Sequence, residues 1–101
     1  MVENLYGVKG DDTEAVAAAL AAAIGHPLEA HDSSFFGDYW AADFGDDVQI
    51  RVLPQTDPSG DLQEEDFPDY RVIVYIDGEI SVDGIAGLQT PAGVIELLRA
   101  R

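Results

Sequence analysis

Residues 71–76 read Arg-Val-Ile-Val-Tyr-Ile, apolar at every position once Arg71 is passed. Successive side chains of a strand face opposite ways, so a run like this has no face to give to water. It predicts a central strand, covered by helices on one side. A chain of 101 residues must find that cover among its own neighbouring elements, in one domain with one core.

Those neighbours can be read in turn. In Val48–Leu53, Val48, Ile50 and Val52 share a side while Gln49 and Arg51 take the other, the period-two pattern of a half-buried strand. Asp38–Asp43 precedes it as a strand, and Gly45-Asp46-Asp47 reads as the hairpin turn between the two. Leu28–Ser34 places Leu28 and Ala30 on one side and Glu29 and His31 on the other, which suits an exposed or edge strand, and Gly37 permits the turn that follows. Val2–Val8 reads as an opening strand. Asp11 with Glu14 resembles a capping box. Val16, Leu20 and Ile24 then recur at four-residue spacing among alanines, a narrow apolar stripe able to lie flat on a sheet. Gly25 and Pro27 end that helix near Ile24. Val82, Ile85 and Leu88 have the spacing of a second helix over 80–88, against a cost of about 1 kcal/mol for each of Gly84 and Gly87. Val94–Leu98 reads as a closing strand, with a C-terminal helix as the alternative for VIELLRAR. The expectation is an α+β domain in the order β-α-β-β-β-β-α-β, with a mostly antiparallel sheet and two helices on one face.

Charge bounds the function. Five basic residues, Lys9, Arg51, Arg71, Arg99 and Arg101, face twenty acids for a formal charge of -15. That repels phosphate backbones and anionic headgroups, so direct binding to nucleic acid or membrane is disfavoured. The composition, 47% hydrophobic and 25% charged, is that of a globular chain. The absence of cysteine excludes disulfides, thiol nucleophiles and thiolate metal sites. MVENLYGVKGDD lacks a basic stretch followed by an apolar run, and a cytoplasmic location is the expectation.

His26 and His31 are the only histidines. A nucleophilic triad is defined by spatial geometry that sequence neighbours such as Asp32, Ser33 and Ser34 do not supply, so no catalytic residue is assigned, and no cofactor or metal. After Pro54 comes a stretch with six acids and two further prolines, Pro58 and Pro68. Read as a calcium loop from Asp57 it fails, since the positions that require Gly and Glu hold Leu62 and Pro68. Loops of this length in small domains are functional or disordered. Just upstream, Phe35, Phe36, Tyr39, Trp40 and Phe44 are too unevenly spaced to face one core. Tyr39 and Trp40 are strand neighbours, so one of them points outward as a candidate anchor. With Asp38, Asp43, Asp46 and Asp47 around them, and Asp57, Asp61, Glu64, Glu65, Asp66 and Asp69 in the loop, they form a candidate binding surface for a basic protein.

HDSSFFGDYW, the acidic loop closed by Phe67-Pro68, and the strand RVIVYI together resemble the small acidic immunity proteins encoded beside polymorphic or contact-dependent bacterial toxins. The likeness rests on Asp32, Ser33 and Ser34 leading to the Gly37-Asp38-Tyr39 turn, then a strand, then the acidic loop. It implies a non-enzymatic inhibitor of a cationic toxin domain, a nuclease being basic because it binds phosphate. Two other readings stand beside it. One is a solvated structural or regulatory module, a homodimer through an edge strand, whose charge serves solubility. The other is a small hydrolase using His31.

Overall fold

The computed structural model describes residues 3–33, 37–43, 48–78 and 84–100. Strand β1 (Glu3–Val8) leads to helix α1 (Thr13–Ile24), and β2 (Glu29–Ser33), β3 (Gly37–Asp43), β4 (Gln49–Pro54) and β5 (Val72–Asp77) follow. A small hairpin of β6 (Gln89–Thr90) and β7 (Gly93–Val94) precedes the closing strand β8 (Glu96–Ala100). Six strands form one sheet in the order β2-β3-β4-β5-β1-β8, and every pairing in it is antiparallel. β5 is therefore interior to the sheet, as its unbroken apolar run requires.

Register separates the two faces. Tyr6 opposes Val74 and Val8 opposes Val72; Ile50 opposes Ile76 and Val52 opposes Val74. All are buried in one cluster with Val16, Ala17 and Leu20 of α1, so this is the helix-covered face. The helix packs on β3 and β4 and meets β6. It begins one residue later than the expected Asp11 box: Asp12 is the N-cap, and its carboxylate accepts from Ala15 N–H at 3.0 Å. Gly25 closes it in the left-handed conformation, φ 70°.

The other face carries Leu5, Leu53 and Ile73, each fully buried, with no helix over them among the described residues. The acidic loop and Leu98 of β8 reach this face. A Cβ on Gly7, on this outer face, would lie 2.8 Å from the Tyr70 ring and 2.7 Å from Leu98, so both side chains press directly on the backbone of β1. The loop is stitched down by Gln55, 3% exposed. Its side chain donates to the carbonyls of Phe67 (2.8 Å) and Glu64 (3.2 Å) and accepts from Glu64 N–H at 2.8 Å. Its backbone joins Arg71 and Gln63. β5 is thus covered on both faces, by helix and core on one and by loop on the other.

The second helix expected over 80–88 is not found among the described residues; α1 is the one helix there. Residues 84–87 are turns, and 79–83 lie outside the described residues. Gly84 and Gly87 have φ of +84° and +90°, a left-handed backbone that an α-helix cannot use. Ile85 still enters the helix-side core, and Ile95 joins it, held by backbone bonds to Leu88 and Gly87. That burial also interrupts the closing strand, so that it runs over Glu96–Ala100 instead of beginning at Val94. Val2, and the turn expected at Gly45-Asp46-Asp47, lie outside the described residues, although β3 and β4 pair as a hairpin requires. No helix of the described residues is long and apolar enough to cross a membrane.

Removing the Gln55 side chain strands Glu64 N–H and two carbonyls beneath the loop. Gln55→Ala is expected to lower unfolding stability by about 2–4 kcal/mol, read from the urea midpoint. Limited proteolysis should first cut between residues 56 and 70, and an unchanged midpoint would show that the loop is held by other means.

Candidate protein-docking surface

The alternation of β3 divides the residues that the sequence grouped together. Tyr39 lies on the outer face, opposite His31 of β2; the two rings stack with centroids 5.3 Å apart and planes at 20°. Trp40 lies on the helix side, half-buried and packed against the core, opposite Ala30. Asp38 shares its side and directly opposes Asp32, both exposed. Like charges placed opposite each other on a strand pair are destabilising. Asp43, exposed at the end of β3, falls on the Tyr39 side. Phe35, Phe36, Phe44, Asp46 and Asp47 lie outside the described residues.

β2 is the last strand of the sheet, and a depression flanks it on each face. On the outer face, one of about 400 Å³ runs past His26, Glu29, His31, Tyr39 and Asp43 over the small side chain of Ala41. On the helix side, a second of about 440 Å³ lies between Glu14 of α1, Asp32, Asp38 and Trp40 over Ala30. Neither lining includes a lysine or arginine. His26 Nδ1 lies 2.8 Å from Pro27 O. Among the described residues no group of three or more His, Asp or Glu is arranged to hold a metal ion.

In the loop, Asp57 forms its own turn: one carboxylate oxygen accepts from Ser59 N–H (2.9 Å) and Asp61 N–H (3.0 Å). The loop tip reaches β3, since a Cβ on Gly37 would lie 3.6 Å from the Pro58 ring. Glu64 is placed inward. One of its carboxylate oxygens accepts from the Tyr75 hydroxyl at 2.5 Å, and the other lies 3.4 Å from Arg99, which also pairs with Glu3 at 3.7 Å. Arg51 bonds Asp77 at 3.3 Å and sits over the Tyr75 ring. Asp61, Glu65, Asp66 and Asp69 are exposed. The structure therefore brings Tyr39, Asp43 and the loop tip to one face, Asp38 and Trp40 to the other, and turns Glu64 into an anchor.

Glu14 and the β2 residues Glu29 and Asp32 complete this surface, although the binding residues chosen from the sequence left them out. Glu14 and Glu29 were signalled only by position, in the first turn of a helix and on an edge strand, and Asp32 by the stretch that leads to Gly37-Asp38-Tyr39. Comparison with models of known protein families, with curated proteins and with solved structures finds no match.

Burial, then the adjacent Glu64 carboxylate as bond acceptor and charge, pushes the Tyr75 hydroxyl well above its ordinary value near 10, with Arg51 and Arg99 opposing in part. Burial alone raises Tyr6. A raised folded-state value means that the folded chain holds these protons more tightly than the unfolded one. Their contribution to stability is complete below about pH 10 and is lost as pH climbs through the folded-state values. Stability should therefore fall above about pH 10, with phenolate absorbance from Tyr75 appearing chiefly as the chain unfolds. Tyr75→Phe should flatten that fall. An unchanged slope would remove Tyr75 from the account.

Proposed function

We propose that this protein is a non-enzymatic inhibitor, of the immunity-protein kind, that binds and neutralises a cationic toxin domain, most simply a nuclease. The distribution of charge carries this reading. The ion pairs among the described residues hold Arg51 and Arg99 to Glu3, Glu64 and Asp77. Asp32, Asp38, Asp61, Glu65, Asp66 and Asp69 remain at the surface with no ion pair among those residues.

A toxin that binds phosphate presents a basic face, and an acidic surface can stand in for the polyanion and capture it rapidly. A complex burying about 1,600 Å² would be sufficient. The wall of acids would steer the partner, and Tyr39, on its stack with His31, would be the aromatic contact at the surface. The self-associating module draws less support from the geometry. β8 is disrupted by a register shift opposite Leu5/Tyr6, and β2 sets acids that repel a second copy.

The test is capture of a basic protein from the native host, followed by assay of that protein's activity with and without stoichiometric inhibitor. The association rate should fall on the order of tenfold as ionic strength rises through the physiological range. The variant Asp61→Asn/Glu65→Gln/Asp66→Asn/Asp69→Asn should slow association by a similar factor while changing dissociation little. Association indifferent to both salt and these substitutions would refute the reading.

A further inference from the structure

We propose that β2 is a docking edge, at which an extended basic segment of the partner adds as a further strand of the sheet. This deepens the inhibitor reading and rests on it for the identity of the segment's owner.

Among the described residues β2 has one neighbour, β3, so one side of its backbone has no strand to pair with. An edge of this kind is a template for another chain, and main-chain bonds give such pairing its affinity while flanking pockets select alternate side chains. Both parts are present. The side chains of an added strand would fall alternately toward the outer-face depression beside Glu29, Tyr39 and Asp43 and toward the helix-side depression between Asp32, Asp38 and Glu14. The small residues Ala41 and Ala30 leave room in each. Carboxylates line both, so the complementary segment is basic on both of its faces. Residues opposite Glu29 and Asp32 stand three apart and on opposite faces, which gives the pattern basic-x-x-basic. A cation bridging Asp32 and Asp38 would also relieve the repulsion built into that cross-strand pair.

The opposite edge does not offer this. β8 carries the register shift, presents Leu97 at 49% exposure, and uses Arg99 for the internal ion pairs. A second copy of the chain would bring acids against acids at β2. The occupant the edge fits is a cationic strand of a different protein.

The probe is the peptide acetyl-Thr-Arg-Val-Thr-Arg-Thr-amide, titrated into the isotopically labelled protein and followed by amide chemical shifts and hydrogen exchange. Shifts should centre on Glu29–Ser33, with slowed exchange there. Two analogues, N-methylated at one or the other set of alternate residues, keep the charge and each lose the main-chain donors along one side; the one blocked on the side facing β2 should bind about tenfold more weakly or worse. The variant Glu29→Lys/Asp32→Lys, altered at two exposed positions, should keep the fold by circular dichroism and lose the peptide. Binding of both analogues equal to that of the parent peptide, or shifts confined to residues 57–69, would overturn the proposal, leaving charge attraction alone. The two readings fail separately. A captured basic protein held equally by wild type and Glu29→Lys/Asp32→Lys sinks the docking edge and keeps the inhibitor. Main-chain-dependent peptide binding at β2, with no basic protein captured, keeps the edge and sinks the inhibitor.

Discussion

The complete burial of Leu5, Leu53 and Ile73 on the face away from the helix is the constraint on which the rest of the molecule depends. With the described helix confined to one face, these side chains can leave water only beneath irregular chain, and each contributes about 1.5–3 kcal/mol when it does so. The segment that covers them is rich in acid and proline and has few apolar groups of its own. Directional contacts hold it down: the Gln55 amide beneath it, the Tyr70 ring against Gly7, and Glu64 between Tyr75 and Arg99. With Gln55 and Tyr70, one acid turned inward helps to fix the loop, and its neighbours Glu65 and Asp66 are left facing solvent.

The same arrangement decides where charge remains. Arg51 of β4 and Arg99 of β8 both stand on the outer face and are occupied by Asp77, Glu3 and Glu64. Lys9 sits 5.9 Å from the Tyr70 ring centroid. The negative charge left unanswered gathers at the β2–β3 end and along the loop, where mutual repulsion costs stability. The pair Asp32 and Asp38 makes that cost local, and nothing in the packing requires acids at these two exposed positions. A surface that bears such repulsion when free gains on meeting a cation, and this is the physical argument for a binding role over a purely solvating one.

Much of the fold was legible in residue spacing. The alternation in VQIRVL, the solid apolar run of RVIVYI, the four-residue stripe of α1 and its end at Gly25 each report a local periodicity, and each corresponds to an observed element. Asp11 and Asp12 are chemically equivalent as caps, so the helix start was displaced by one. The spacing of Val82, Ile85 and Leu88 imitates a helix, but at Gly84 and Gly87 backbone conformation decided, and Ile85 reached the core from a turn. The site was less legible. Tyr39 and Trp40 could not be assigned to faces until the register with His31 and Ala30 was known. Nothing distinguishes Glu64 from Glu65 in sequence, because its partners Tyr75 and Arg99 are brought near only by folding. Glu14 comes to border one depression with Asp32 and Asp38 for the same reason.

Loop and edge meet at the start of β3, where Pro58 approaches Gly37. The loop is pinned at Gln55 and Glu64 and closed at its tip by the Asp57 turn, so its acids are held in place relative to β2. Such preorganisation lowers the ordering cost that binding would otherwise incur. In the proposed complex the two parts would act on different stages of one association. Charge on the loop would work at long range and govern how often a basic partner arrives. Main-chain pairing at β2 would operate only in contact and govern how long the partner stays. A strand edge alone would accept any extended chain, and an acidic loop alone any cation. The proposed specificity for a basic strand would require both on one sheet, and the anchoring of the loop across the outer face holds them together.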